Sequence, residues 1–503
     1  MPLKKIPLPS GFDKNDTASQ AEGRWIDGDN IRFQYGSPEK IGGWEQINSS
    51  ILVGAARDIH SWFDLTGRRY VAIGTDKVLY ILFDEVFYDI TPLSAALTSC
   101  TFNTTTGSAT VTVNKTAHNL SVGDLFIFSS VTPPTGFSAG DFTNAFQVIT
   151  VPTADTFTIT MPVTSSGTAS TSGSASVNPY VIVGPLAATL GYGWGAGTWN
   201  LSTWGTPRTV SNTTIDSGSW SLDNFGELLI ATIKDGKTFS WDPNAGVGVN
   251  TRATVIAGNP TATVLTRVSD RDRHLIHFGT ETTIGNPSTQ DPMFIRFSDQ
   301  EDIQIYEPTS TNTAGTFRLD NGSRIVAAVK GKDYILVLTD EAAYTMQFVG
   351  PPFTFSIRQV GSNCGCVGQH AAVFVDGAVY WMGDSGNFFV FDGTVKTLPS
   401  SVENFVFTTT GDALGLNFTN GETVFAGHNS LFTEINWFYP QASSTEIDRV
   451  VTYNYELKTW TTGSLARTTY EDAHVLEYPS ATKYISTLTP NTPTINGITN
   501  GGS

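Results

Sequence analysis

The stretch RIVAAVKGKDYILVLTDEAAYTMQFVG, from Arg324 to Gly350, sets the reading of the whole chain. An apolar run ends in a turn, a strongly apolar strand follows (YILVL), and a third run carries aromatics (YTMQF). The middle run is apolar enough to be covered on both faces, as a strand between packed layers must be. Nothing in it recurs at the helical period.

The same grammar recurs on either side. Earlier units start at Arg57 (with YVAIG and LYIL), at Ser219 (LLIAT and FSWD) and at Thr263 (HLIHF, then FIRF after a loop). Later units start at His370 (VYWMG and FFVF) and at Thr423 (EINWF and YNYE). Pairs such as Asp235-Gly236, Asn321-Gly322, Asp376-Gly377, Asp392-Gly393 and Asn420-Gly421 suit tight turns that need positive φ. Strands at a spacing of roughly 40–50 residues read as blades of a β-propeller. The expected fold is therefore all-β, an irregular propeller of about six blades, with a platform made near the termini. The uneven spacing leaves room for five or seven, and stacked β-sandwiches are the competing architecture.

One segment interrupts the series. Residues 96–178 read as an inserted small β-sandwich or barrel module, with HNLSVGDLFIF and VPTADTFTIT alternating apolar and Ser or Thr positions. Its last part, TSSGTASTSGSASVNP, reads as a Ser/Thr/Gly exit linker with too little to bury. The other expected boundaries are an N-terminal arm or platform segment at 1–50, a first blade at 51–95, a Gly/Trp-rich connecting arm at 179–215, further blades at 216–470, and a C-terminal platform return at 471–503. The arm at 179–215 contains Trp194, Trp199 and Trp204, five residues apart within a stretch that lacks charge from Thr156 to Pro207. Spread among glycines, these three suit packing within the chain or at a subunit interface better than a ligand platform.

Composition narrows the function. The chain has 503 residues, 12% aromatic and only 15% charged, with a net charge of −17 from 46 acidic and 29 basic residues. Gripping nucleic acid needs clustered Lys and Arg, which this balance disfavours. Low charge on a chain this long points to extensive burial against partners. The cysteines Cys100, Cys364 and Cys366 do not form a secreted disulfide framework, and the opening MPLKKIPLPS lacks the apolar run of a signal peptide. The most apolar stretch, YVIVGPLAATL, is about half of a membrane span, so membrane insertion is not expected.

No catalytic, cofactor or metal motif stands out. His274 and His277 in RHLIHF lie three apart on a strand, on opposite faces, and read as core histidines rather than a shared metal site. SDQED, Ser298 to Asp302, lacks the calcium-loop spacing and reads as a polar turn. TIDSGSW, Thr214 to Trp220, resembles the Asp-box hairpin of sialidase propellers but is one residue short.

Four stretches taken in order resemble the tail-tube nozzle, or tail hub, proteins of short-tailed bacteriophages. They are GFDKNDTASQAEGRWIDGDNIRFQYGSPEKIGGWEQ near the start, FIRFSDQEDIQIYEP with the Arg324 unit, GCVGQHAAVFVDGAVYWMGDSGNFFVFDG, and VVTYNYELKTWTTGSL. The resemblance implies a virion protein without catalysis or cofactor, assembled in the host cytoplasm as a ring of six in the tail. Its partners would be a portal adaptor above, distal needle, spike or fibre proteins below, and double-stranded DNA in transit without specific binding. It also implies that Trp25, Phe33, Tyr35 and Trp44 anchor an adaptor-facing N-terminal segment. The alternative is a glycan-binding or glycan-cleaving propeller acting as a phage receptor-binding protein; a secreted surface propeller is a third reading.

Overall fold

The computed structural model describes residues 8–16, 19–47, 50–190, 214–246, 251–408, 415–485 and 495–501. It is an all-β protein built around a propeller. Six blades each take four consecutive antiparallel strands, laid side by side in sequence order. Their innermost strands are Ala56–Phe63, Trp220–Phe225, Thr263–Ser269, Ile325–Lys330, Ala372–Val375 and Phe425–Asn429.

A seventh four-stranded sheet joins the two ends of the chain. Its order runs Trp44–Gln46, Ile495–Gly501, Ser480–Ile485, Thr469–Glu471. The inner strand Thr469–Glu471 packs between Phe425–Asn429 and Ala56–Phe63, so this composite sheet stands in the ring between the sixth blade and the first. No single stretch of sequence spells it out, since the outer strand comes from the other end of the chain.

The second strand of each blade carries the heaviest burial. Every residue of His274–Thr280, Ile335–Thr339 and Glu434–Tyr439 is buried. Such strands lose water on both faces, at roughly 25 cal/mol per Å² of apolar area removed. Tryptophans on the blades tie neighbours together through their one polar atom. The indole N–H of Trp220 donates to the Thr75 carbonyl at 2.7 Å, that of Trp381 to Cys364 at 3.0 Å, and that of Trp437 to Ala371 at 3.1 Å. A buried indole needs such an acceptor, and each bond here crosses between segments distant in sequence. Gly74 makes the first of these contacts possible, because a Cβ there would sit 2.5 Å from the Trp220 ring. The Asp376-Gly377 hairpin holds φ of 49° and 85°, as a two-residue primed turn requires. Asn420-Gly421 instead lies within a short 3-10 stretch, Phe418–Thr423.

The inserted module is a seven-stranded sheet between Leu97 and Pro179. The chain passes directly from the strand at one edge, Ala145–Gln147, through Val148 and Ile149 into the strand at the other edge, Thr150–Thr153, which curls the sheet toward a barrel. Phe102, Phe126, Phe128, Phe142, Phe146 and Phe157 fill it, separately from the blade cores.

The expected exit linker is corrected here. Ala169–Pro179 is an eleven-residue strand in the interior of the module sheet, between Leu125–Thr132 and Leu97–Thr104. Backbone hydrogen bonds do not depend on side-chain type, and only Ala175, Val177 and Pro179 have to face inward. Gly173, at φ 66°, lets the backbone pass close to Thr132 and Pro134, and register shifts absorb the extra residues. Composition argued against a core strand, but small residues are what this close approach admits.

Candidate functional site on the propeller axis

The inner strands of the six consecutive blades converge on a polar cavity of about 210 Å³. Asp58 and His60 come from the first blade, Asp223 from the second, Arg267 from the third and Lys330 from the fourth. Gln369 and His370 complete the wall just before the fifth blade. Inner strands are too splayed at the axis to share ladder hydrogen bonds, so side chains must satisfy their backbone groups.

Three carboxylates do this in sequence around the ring. Glu471 of the composite sheet accepts from the Ser61 N–H at 2.9 Å and its hydroxyl at 2.7 Å. Asp58 accepts from the Leu222 N–H at 2.7 Å, and Asp223 from the Val268 N–H at 2.8 Å. Arg267 continues the series with the opposite polarity, donating to the Ala328 carbonyl at 2.9 Å and to the Ser221 hydroxyl at 2.6 Å. From the composite sheet through to the fourth blade, each sheet thus holds the next through one charged side chain.

The charges are unevenly matched. Lys330 meets Asp223 at 2.8 Å and Asp270 at 2.9 Å. Burial alone would raise the Asp223 carboxyl, but Lys330, His60 and Arg267 together outweigh it and the pKa falls below the usual value. Asp58 has no such cation in contact. Burial pushes it up to about 7, against the more distant pull of Arg267. Burial also raises Glu471. His370 donates its Nε2–H to the Trp220 carbonyl, 3.0 Å away, and burial with the nearby Arg267 charge holds its pKa down at about 4.

The residues singled out in the sequence lie elsewhere. Trp194, Trp199 and Trp204 fall outside the described residues. Phe33 is 5% exposed and packs on Phe12 and Trp25, with ring centroids 5.7 and 6.0 Å apart. This cluster belongs to the core shared with the fifth and sixth blades. Phe33 is therefore spent on internal packing. Trp44 stacks edge-on to Tyr470 at 6.1 Å, with the Arg467 guanidinium 4.7 Å above its ring. Tyr35, at the tip of the Ile31–Gln34 and Ser37–Lys40 hairpin, is 96% exposed, so of the four it alone offers its whole ring to a partner. Next to Phe33, Arg32 forms a paired contact with Glu434, both bonds at 2.9 Å, which fastens the N-terminal segment to the sixth blade.

The histidines are core residues. His274 bonds the Ser298 carbonyl at 2.8 Å, His277 the Tyr306 hydroxyl at 3.1 Å, and burial with the Arg296 charge holds His277 at about 3. In the SDQED turn, Asp299 accepts from Gln300 and Thr313. Asp216 of TIDSGSW pairs with Lys234 and Arg324, both at 3.0 Å. Cys364 and Cys366 are buried free thiols, and burial pushes them up to about 11 and about 12, far from a reactive thiolate. Among the described residues no cluster of three or more His, Cys, Asp or Glu could hold a metal, and no helix is long and apolar enough to cross a membrane.

The axial cluster was missed in the sequence because its members are some 400 residues apart at the extremes. The local sign is a carboxylate in the middle of an inner strand, as at Asp58 in AARDIHSWF and Asp223 in WSLDNF.

No protein-family model matches the chain, and no curated protein is similar to it. Among solved structures it is similar to the computationally designed Ika8 protein, at TM-score 0.38 and 9% identity over 91% of this chain and 100% of that one. It is also similar to AztD from Citrobacter koseri, at TM-score 0.33 and 7% identity over 87% and 99%. A third is the phage phi92 endosialidase, at TM-score 0.23 and 12% identity over 85% and 79%. At these values the likenesses assign no activity, and the propeller rests on the sheet order above.

Proposed function

We propose that this protein is a structural subunit of a short-tailed phage virion, with six copies forming the tail-nozzle ring below the portal adaptor. The ring extends the DNA channel, retains packaged DNA and passes it during ejection. The observation that carries this reading is the way the nozzle-like segments are joined. The N-terminal stretch that resembles such proteins is locked to the sixth blade through Arg32 and Glu434. It then supplies Trp44–Gln46 to the sheet that the C-terminal strands form. The N-terminal stretch is thus fastened both to the sixth blade and to the C-terminal strands.

Two further features support a scaffold. The axial carboxylates are engaged by backbone N–H groups and serve as blade-to-blade ties, which leaves them poorly placed as the two free carboxyl groups that glycoside hydrolysis uses. The axial cavity, about 210 Å³, is far too small for a duplex, so DNA would run between protomers. A net charge of −17 per copy favours passage of a phosphate backbone without binding.

Electron microscopy of the purified protein, alone and mixed with the virion's adaptor, tests the reading. A six-fold ring that docks on the adaptor is expected. A monomer that binds or cleaves oligosaccharides on a glycan array would replace it with the receptor-binding alternative.

A further inference from the structure

The axial cavity holds two charged groups of opposite sign that do not touch. Asp58 is 5% exposed, and the nearest cationic-type group in contact range is the His370 ring, 3.7 Å away. Burial and the Arg267 charge keep that ring neutral at ordinary pH. Arg267 forms no ion pair among the described residues. Its guanidinium is held by neutral oxygens, the Ala328 and Thr266 carbonyls and the Ser221 hydroxyl, through Nε and Nη1. Among the described residues its Nη2 meets no acceptor. Lys330 and Asp223, by contrast, satisfy each other.

A buried carboxylate and a guanidinium that face one cavity without meeting leave both charges poorly compensated. Burial pushes the Asp58 carboxyl up to about 7, against the pull of Arg267. A molecule that carries both charges could match the two groups without disturbing either tie. The cavity, about 210 Å³, exceeds many times the roughly 10–15 Å³ that one water needs, and suits a ligand of a handful of heavy atoms. Gln369, also in the wall, is 2% exposed and its Oε1 has no donor, which adds an acceptor for a ligand's N–H.

We infer that the axial cavity is a binding site for a small zwitterion of the α-amino-acid class, with its ammonium on Asp58 and its carboxylate on Arg267. The site is internal to one propeller and does not depend on the ring proposed above. Occupancy would couple the first and third blades through the ligand.

Isothermal calorimetry on the full chain with glycine, L-alanine and L-serine tests this, with acetate and methylamine as half-ligands. Saturable binding of at least one amino acid, at least tenfold tighter than either half-ligand, is expected. Asp58→Asn keeps an acceptor for Leu222, and Arg267→Gln keeps N–H donors; each should weaken binding at least tenfold while thermal unfolding stays cooperative. If either variant fails to fold, the wild-type panel decides by itself. No saturable heat with any amino acid overturns the inference. So does acetate or methylamine binding as tightly as the amino acids, which would leave a site for a single charge.

Discussion

The Asp223 carboxylate in the second blade accepts the Val268 backbone N–H of the third at 2.8 Å, while its other oxygen holds Lys330 of the fourth. One side chain therefore ties three blades. Asp223→Ala would leave a buried N–H unsatisfied and remove one partner of a buried ion pair. The expected cost is about 3–5 kcal/mol, read from denaturant unfolding. Asp223→Asn retains an acceptor oxygen and should lose distinctly less. Equal loss in both variants would mean that the charge, and not the backbone tie, carries the effect.

Two buried histidines set the acid limit. His277 stands at about 3 and His370 at about 4, both below the 6.5 of an exposed imidazole. The unfolded chain takes up these protons first, so the stability each contributes is complete above about pH 6.5 and is lost as pH falls toward the folded values. Over the full span down to the folded values, the shifts correspond to about 5 kcal/mol for His277 and about 3 kcal/mol for His370. The unfolding midpoint should drop steeply between pH 6.5 and pH 4, and His277→Gln should flatten part of that slope.

Asp58 acts with the opposite sign. Its folded pKa, about 7, lies above the unfolded 3.8, so the folded chain holds the proton more tightly. Its contribution to stability falls as pH rises from about 4 to about 7. Asp58→Asn should therefore be more stable relative to wild type at pH 8 than at pH 4.5, measured by thermal melts without added amino acids. A constant difference at both values would refute the assignment.

The inserted module is expected to be separable. Leu93 bridges Tyr180, and Ser94 bonds the Pro179 carbonyl at 2.7 Å, so the entry and exit of the module lie side by side. Residues 95–180 should fold alone with a cooperative melt, and replacing 97–179 by a short Gly/Ser link should leave the propeller intact. Arg252, which pairs with Asp89 and Tyr180 at the junction, should matter for docking the module and little for its own fold.

Gly74→Ala tests the first-blade contact. A Cβ placed 2.5 Å from the Trp220 ring has to displace the indole or the strand, at a cost of about 1–3 kcal/mol. A shift in tryptophan fluorescence should accompany the loss. An unchanged melt would show that the indole bond to Thr75 tolerates repacking.

How far the sequence carried the fold varies by element. The strand Ile335–Thr339 was legible because burial on both faces leaves a continuous apolar run, and Asp376-Gly377 because its turn needs positive φ. Ala169–Pro179 was not, since a strand of Ser, Thr, Ala and Gly pairs through its backbone and leaves little periodic trace. Phe33 was legible as an anchor, but its partners were not; the ring packs on Phe12 and Trp25 rather than outward.

By itself the sequence determined the all-β character, the run of blades and the place where they are interrupted. These follow from short-range periodicity and turn chemistry, which act over a few residues. Only the tertiary structure decided how the ring closes and what meets at its axis. Trp44–Gln46 and Ile495–Gly501 become neighbours, and Asp58, Asp223, Arg267 and Glu471 come to surround one axis, because closure brings together residues far apart along the chain. Which buried charges then find a partner, as Lys330 does and Asp58 does not, depends on distances that no local pattern encodes.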